Sequence, residues 1–315
     1  MLIGIHDAEM EHFGTNDKFP NLALMKISAY HKAKGDEVVW WNPMLPCDRV
    51  YSSKVFDFTP ENQYLPEDTI KGGTGYGLFD ELPKEIDDVY PDYSIYPHCD
   101  YAIGFLTRGC INKCRWCGVP KKEGYIRAYR RWEKIVRRGT DKLVLMDNNI
   151  LACTWGIQQL KELANTGYKI DLNQGMDARL VTPEIADVLA RIKWIKHIRF
   201  SCDTKAQIEP VRRTVELLTK RGVAPSKLFI YCIITKDVKN DLERIYGLRG
   251  LGGITIYAQP EKNPAQGIMP ERWQNVMAQK YVYAGSWRKE SWWDYIRERP
   301  FLNVTKEDCF ERTGC

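Results

Sequence analysis

Apolar positions along the chain follow two periods in turn. Residues 2–5 (Leu-Ile-Gly-Ile) and 37–41 (Glu-Val-Val-Trp-Trp) read as short strands. Between them Leu22, Met25, Ala29 and Tyr30 fall at helical spacing, with Gly35 placed to end the helix. Strand, helix and strand in that order open a doubly wound α/β unit. Residues 49–58 read as a strand pair, and residues 83–97, rich in Asp, Tyr and Pro, as an extended linker. The glycine-rich stretch 71–77 (Lys-Gly-Gly-Thr-Gly-Tyr-Gly) has two readings. It is either a connecting turn or a close approach to a phosphate or an adenosine. It lacks the Gly-Lys-Ser/Thr ending of a P-loop.

From residue 101 the pattern becomes repetitive. Strands are predicted at 101–107, 142–147, 168–174, 197–202, 228–235 and 253–258. Helices are predicted near 126–138, 155–166, 182–193, 206–222 and 238–249. Such alternation implies a parallel sheet, with chemistry gathered at the carboxyl ends of its strands. The expected domains are 1–98, 99–262 and a C-terminal extension 263–315.

Charge supports the first of those boundaries. Residues 1–100 carry 8 basic and 18 acidic residues, whereas the whole chain is +5, so the remainder is strongly basic. Within it, residues 121–138 hold 8 basic and 2 acidic residues, which suits an anionic substrate or a solvated helix face. The N-terminal residues have neither a basic nor an apolar leader region, no stretch reaches a membrane span, and ten cysteines suit a reducing compartment. A cytoplasmic protein that does not enter membranes is expected.

The chemistry centres on 101–124, where Cys110, Cys114 and Cys117 stand at C-x3-C-x2-C spacing with Trp116 before the last cysteine. Three thiolates on one loop can hold three corners of a four-iron cluster and leave one iron open. A structural zinc site would need a fourth ligand, drawn from His98, Cys99 or a distant cysteine. The loop resembles the signature of the radical S-adenosylmethionine (radical SAM) superfamily. The resemblance, over residues 100–260, implies a partial (β/α)6 radical SAM barrel preceded by a small Rossmann-like α/β domain. It also implies a 4Fe-4S cluster on Cys110, Cys114 and Cys117, S-adenosyl-L-methionine as cofactor, and an electron donor such as flavodoxin or ferredoxin. In the family one electron cleaves SAM to methionine and a 5′-deoxyadenosyl radical, which abstracts hydrogen from a substrate, here unidentified and read as anionic or nucleotide-like. Trp116 is implied in cofactor binding by its place in the motif. Asp147 and Asn149 after the second strand stand where the family meets the SAM amino group, the alternative being an Asx turn. Gln174 and Arg179 after the third strand are candidates for the SAM carboxylate or the substrate, Arg179 equally for a structural ion pair. Ser201 and Asp203, alternating at the fourth strand's end, suit the SAM ribose. Tyr257 on the sixth strand suits the adenine, and Arg212 and Arg213 are further carboxylate candidates or surface residues.

The first domain is similar to the cobalamin-binding domain that precedes many radical SAM barrels, but its DxHxxG motif is missing, since Met10 stands where an aspartate would precede His12. Cobalamin is therefore not expected, and His6 and His12 read as surface or capping residues. Cys153, Cys202 and Cys232 read as small buried residues, with Cys202 also a candidate hydrogen donor. Cys309 and Cys315 would form an auxiliary cluster only if Cys47 or Cys99 joined them. The aromatic, basic tail (Trp273, Tyr281, Tyr283, Trp287, Trp292, Trp293 and Tyr295) either packs or stacks on nucleic-acid bases. Two alternative functions follow: a methyl or methylthio transferase acting on RNA or a nucleotide, and a non-catalytic zinc-stabilised nucleic-acid-binding protein.

Overall fold

The computed structural model describes residues 1–14, 19–263 and 267–310. It divides into two compact units, the first comprising Met1–Gly104 with Glu133–Thr140, the second Phe105–Trp132 with residues 141 onward.

In the first unit β1 (Leu2–Asp7) is followed by α1 (Ala8–Phe13), α2 (Leu22–Ala33), β2 (Glu37–Trp40), β3 (Arg49–Ser53), β4 (Ile70–Gly72), α3 (Lys84–Asp87) and β5 (Ala102–Gly104). Four of these strands form a parallel sheet in the order β2-β1-β3-β4. Ile3 and Ile5 of β1 alternate with Gly4 and meet Leu24 and Ile27 of α2, Tyr51 of β3 and Ile86 of α3 in one apolar cluster. Asn21 starts α2 by accepting from Leu24 N at 3.2 Å. Gly35 just beyond its end takes φ +84°, a left-handed conformation that favours glycine. Residues 49–58 make one strand rather than two, because the chain turns at Lys54. There Lys54 N donates to Gly72 O and Gly75 N donates to Lys54 O. His6 departs from expectation. It is 5 % exposed, with Nδ1 2.8 Å from Ser52 Oγ and Nε2 2.9 Å from Glu11. A strand position facing the sheet interior buries it, whereas His12 is exposed.

In the second unit β6 (Thr107–Arg108), α4 (Val119–Lys122) and β7 (Arg127–Ala128) precede the alternating part. That part runs β8 (Lys142–Leu145), α5 (Thr154–Leu163), β9 (Lys169–Leu172), β10 (Met176–Asp177), α6 (Pro183–Arg191), β11 (Lys193–Trp194), β12 (Ile198–Ser201), α7 (Ile208–Lys220), β13 (Leu228–Ile234), α8 (Val238–Gly247) and β14 (Thr255–Pro260). Its strands pair in parallel as two pieces, β11-β9-β8 and β10-β12-β13-β14. This is the α/β alternation predicted from the sequence. On β13 buried and half-exposed residues alternate throughout. Leu228, Ile230, Cys232 and Ile234 form the buried face, and Phe229, Tyr231 and Ile233 lie on the open one.

One predicted helix is absent. Residues 126–138 instead supply β7 and a short 3-10 turn at Trp132–Lys134. Their main chain is taken by β6: Thr107 pairs with Ala128, and both Tyr129 N and Arg130 N donate to Leu106 O. Tertiary pairing overrides the helical pattern here. Most of the aromatic tail is packed, although Tyr283 is exposed and Trp293 half-buried. Trp273, Tyr281, Trp287, Trp292 and Tyr295 are all buried, and the Tyr281 ring lies 5.2 Å from Trp292 and 5.1 Å from Tyr295. Among the described residues β14 is followed by α9 (Arg272–Val276), a π-helical stretch Met277–Tyr283, α10 (Trp292–Arg297) and α11 (Lys306–Phe310). Among the described residues no helix is long and apolar enough to cross a membrane.

Candidate active site at the cysteine loop

The antiparallel pair β6–β7 closes the base of the loop that bears the three cysteines. Gly109 enters it at φ +86°, and a Cβ there would lie 2.4 Å from Tyr125 O, so only glycine fits. Cys110 N donates to Gly124 O at 3.2 Å, and Arg108 pairs with Glu123 through two contacts of 2.5 and 2.8 Å. Cys117 N donates to Cys114 O at 3.1 Å, turning the last two cysteines back on one another.

Three anchors tie this loop to the carboxyl ends of strands. After β8, Asp147 is 3 % exposed and accepts from Leu106 N, Thr107 N and Thr107 Oγ1. Burial pushes its carboxyl up to about 6. With its oxygens occupied by the loop's entry, Asp147 positions the loop and is not free to take the ligand-binding role expected of it. Asn148 Oδ1 accepts from Gly109 N, and Asn149 Nδ2 lies 3.5 Å from Cys110 Sγ. After β10, the buried Asp177 accepts from Arg179 at 2.6 and 2.8 Å and from Asn112 Nδ2 at 3.1 Å. Arg179 also donates to Asn112 Oδ1 at 3.0 Å. After β14, Glu261 pairs with Arg115 at 3.2 Å, and Asn263 Nδ2 donates to Arg115 O.

Replacing Asp147 with alanine leaves two or three buried donors of residues 106–107 without an acceptor. At ~1–3 kcal/mol for each unsatisfied group, the variant is expected to unfold at clearly lower urea concentration and to retain less iron after reconstitution. Unchanged stability with unchanged iron content would refute the anchoring role.

The other predicted residues divide by the face they occupy. Asp177, Ser201, Tyr231 and Tyr257 are register partners across β10, β12, β13 and β14, so their side chains share one face. Tyr257 stands among rings there, 6.0 Å from Tyr231, 5.8 Å from Phe229 and 5.4 Å from Tyr283. Asp203, just past β12, accepts from Ile233 N at 2.9 Å, and burial raises its carboxyl against the pull of Arg244. Trp116 is half-buried beside Arg115. Gln174 is exposed, its Nε2 3.4 Å from Asn173. Arg212 donates to Gly247 O and Arg213 to Val181 O, so both serve helix and loop carbonyls.

Cys202 does not face the site. It is fully buried on the opposite side of the sheet from Ser201, where its thiol meets Cys232. One step along a strand reverses a side chain, and the position counted as a strand end lies on the helix-packed face. Cys99 and Cys309 are buried with their thiols donating to Tyr101 O and Thr305 O. Cys315 lies outside the described residues. Asn112, Asp177, Arg115 and Glu261 escaped the sequence reading; Asn112 and Arg115 lie inside the cysteine motif itself.

Among the described residues no three His, Cys, Asp or Glu side chains are gathered as a metal-binding group. The donor chemistry nevertheless fits a cluster. Burial pushes the Cys114 thiol up, and the neighbouring Cys117, Asp203 and Cys110 add to that rise, so a metal is what would hold this thiol ionised. Asn149 Oδ1 is buried beside Cys110 with no partner among the described residues, an acceptor suited to an ammonium.

No protein-family model matches the chain, and no curated protein matches it either. Among solved structures, the cobalamin-dependent S-adenosylmethionine radical enzyme OxsB, with aqua-cobalamin and S-adenosylmethionine bound, matches with a TM-score of 0.54 at 12 % identity. The match covers 91 % of this chain and 56 % of that one, so this chain spans little more than half of its neighbour. OxsB with aqua-cobalamin alone gives 0.53 at 11 % identity over the same shares. Streptococcus suis SuiB bound to S-adenosylmethionine gives 0.43 at 17 % identity over 62 % of this chain and 47 % of its own. The likeness to OxsB shows that the chain shares the fold of that enzyme. The expectation that cobalamin is absent gains no support from this likeness, because OxsB is cobalamin-dependent.

Proposed function

We propose that the chain is a radical SAM enzyme. Cys110, Cys114 and Cys117 would hold a four-iron cluster, which when bound would pass one electron from an external reductant to S-adenosylmethionine, splitting it into methionine and a 5′-deoxyadenosyl radical. The observation that carries this reading is the unpartnered Asn149 Oδ1, buried at the end of β8 and next to Cys110. An ammonium there satisfies an acceptor that otherwise costs about 1–3 kcal/mol to bury. Ser201, Tyr257 and Asp203 supply a hydroxyl, a ring and a carboxylate for the ribose and adenine from the sheet's open face. Asn112, Asp177 and Arg179 orient the loop. Arg179, closed onto Asp177, acts here as a positioning residue, the structural alternative read from sequence.

The substrate of the radical is proposed to be anionic, from the basic residues that follow the cysteines. Residues 108–127 hold six Lys and Arg against one Glu. The same charge suits an acidic reductant such as flavodoxin or ferredoxin. Methyl or methylthio transfer to RNA is the second reading; most of the tail aromatics are buried, while Tyr283 stays exposed and Trp293 half-buried.

The test is anaerobic reconstitution followed by titration with S-adenosylmethionine. Protein that is brown and absorbs near 400 nm separates iron–sulfur from zinc. Asn149→Leu is expected to weaken SAM binding about tenfold or more, the effect of one charge-assisted hydrogen bond, while iron content stays unchanged. Zinc in place of iron, or SAM affinity unaffected by Asn149→Leu, would sink this assignment.

A further inference from the structure

In the first unit's sheet the chain passes from β1 to β2 on one side and then returns to β3 on the other. The two strands at the centre, β1 and β3, thus mark the point where open α/β sheets bind ligands, outside their carboxyl ends. Lys54 is the residue immediately after β3. It is 4 % exposed, yet its ammonium makes no hydrogen bond among the described residues. Its nearest charge, Glu61 Oε1, is 3.6 Å away, and the Tyr76 ring centre is 5.2 Å away. An ammonium has three N–H groups to satisfy, and here a long ion pair and a ring face are what meet them.

A second lysine shares the same surroundings. Lys71 Nζ lies 3.3 Å from Glu61 Oε2 and 5.1 Å from the Tyr76 ring. Two ammoniums therefore divide one carboxylate that is itself 51 % exposed. The glycine-rich stretch that follows β4 explains how Lys54 is held. A Cβ on Gly73 would lie 2.3 Å from Lys54 O, and one on Gly75 would lie 2.6 Å from Lys54 Cγ. The loop lies against the lysine's main chain and stem, so its glycines serve that approach. Tyr76 is fixed in turn, its hydroxyl 2.7 Å from Ser52 Oγ, which meets His6 and through it Glu11.

We propose that Lys54 and Lys71, around Tyr76 and with Glu61 as a displaceable cover, form a binding site for the phosphate group of a phosphate monoester. Charge selects the ligand class. A monoanion only reproduces what Glu61 already contributes, whereas a phosphate monoester carries about −1.5 to −2 at neutral pH and neutralises both lysines. It also brings three acceptor oxygens to the unmet donors of Lys54. Two stacked rings, Phe56 and Phe58, with centroids 5.1 Å apart, follow Lys54 and are 45 % and 56 % exposed. A carrier with a flat ring suits them, which makes adenosine 5′-monophosphate a fitting probe.

The experiment is calorimetric titration of the full chain with adenosine 5′-monophosphate and, separately, with adenosine. The monophosphate is expected to bind and adenosine to bind at least tenfold more weakly. Lys54→Met should reduce monophosphate affinity about tenfold or more, as loss of charged hydrogen bonds does. Glu61→Gln, an exposed change that leaves folding intact, should raise affinity roughly two- to fivefold by removing the competing carboxylate. A merely structural ion pair would not give tighter binding on its removal. Absence of monophosphate binding, equal affinity for adenosine, an unaffected Lys54→Met variant, or weaker binding by Glu61→Gln would each overturn the proposal.

Discussion

Cys114→Ala is expected to bring 5′-deoxyadenosine formation from S-adenosylmethionine and dithionite down to the background of protein-free reagent. The middle cysteine is flanked by Cys110 and Cys117 on a loop anchored by Asp147, Asn112 and Arg115. Two remaining thiols do not make up for the third, because a cluster held at two corners is exposed to loss and oxidation. A fall of about a thousandfold corresponds to ~4 kcal/mol of barrier. Chromatographic detection of 5′-deoxyadenosine in anaerobic reactions measures it. Cys202→Ala is the informative control: its thiol is buried with Cys232 on the far face of the sheet, so turnover should persist. Product formed normally by Cys114→Ala would remove the proposed cluster from the reaction. Product lost only in Cys202→Ala would return that residue to the site.

The second large effect is on stability. Arg244 and Asp241 form an ion pair that is 1 % exposed at both ends. Arg244 also donates to Cys202 O at 2.7 Å and to Ile233 O at 2.6 Å, so it stitches α8 to the ends of β12 and β13. Arg244→Met preserves much of the volume but leaves Asp241 buried without its cation, a loss of about 3–5 kcal/mol. The pH dependence has a definite sign. Burial already raises the Asp241 carboxyl to about 6, with Arg244 opposing that rise. A carboxyl whose folded pKa lies above its unfolded value loses stability as pH increases from the unfolded to the folded pKa. Removing Arg244 raises the folded pKa further, so the loss continues past pH 6. Urea melts should therefore show the variant's deficit growing between pH 5 and pH 8. A deficit that is constant or shrinks over that range would contradict the assigned pairing.

Much of this organisation is legible from residues alone. Period and punctuation identify β1, α2 and β2, and the strand–helix alternation from β8 to β14, because each element shows one apolar face to a core. The cysteine spacing is equally local: three donors on a short loop need no distant partner to be recognised. Residues 126–138 failed for the opposite reason. Their periodicity suits a helix, but Leu106 O and the edge of β6 capture their backbone N–H groups. Side assignment at strand ends was another weak point. Cys202 is buried on the helix-packed face, which agrees with its reading as a small buried residue and not with its reading as a hydrogen donor.

What the sequence determined by itself is the class of fold and the loop on which the chemistry turns, since both follow from spacing along the chain. The tertiary structure alone decided how that loop is held and which polar groups are left unsatisfied. Asp147 meets residues 106–107 from 40 positions away, Glu261 meets Arg115 from 146, and Lys54 is wrapped by glycines that a linear reading could assign equally to a turn or to a phosphate. Such contacts depend on burial and direction between distant segments, and neither quantity is carried by local pattern.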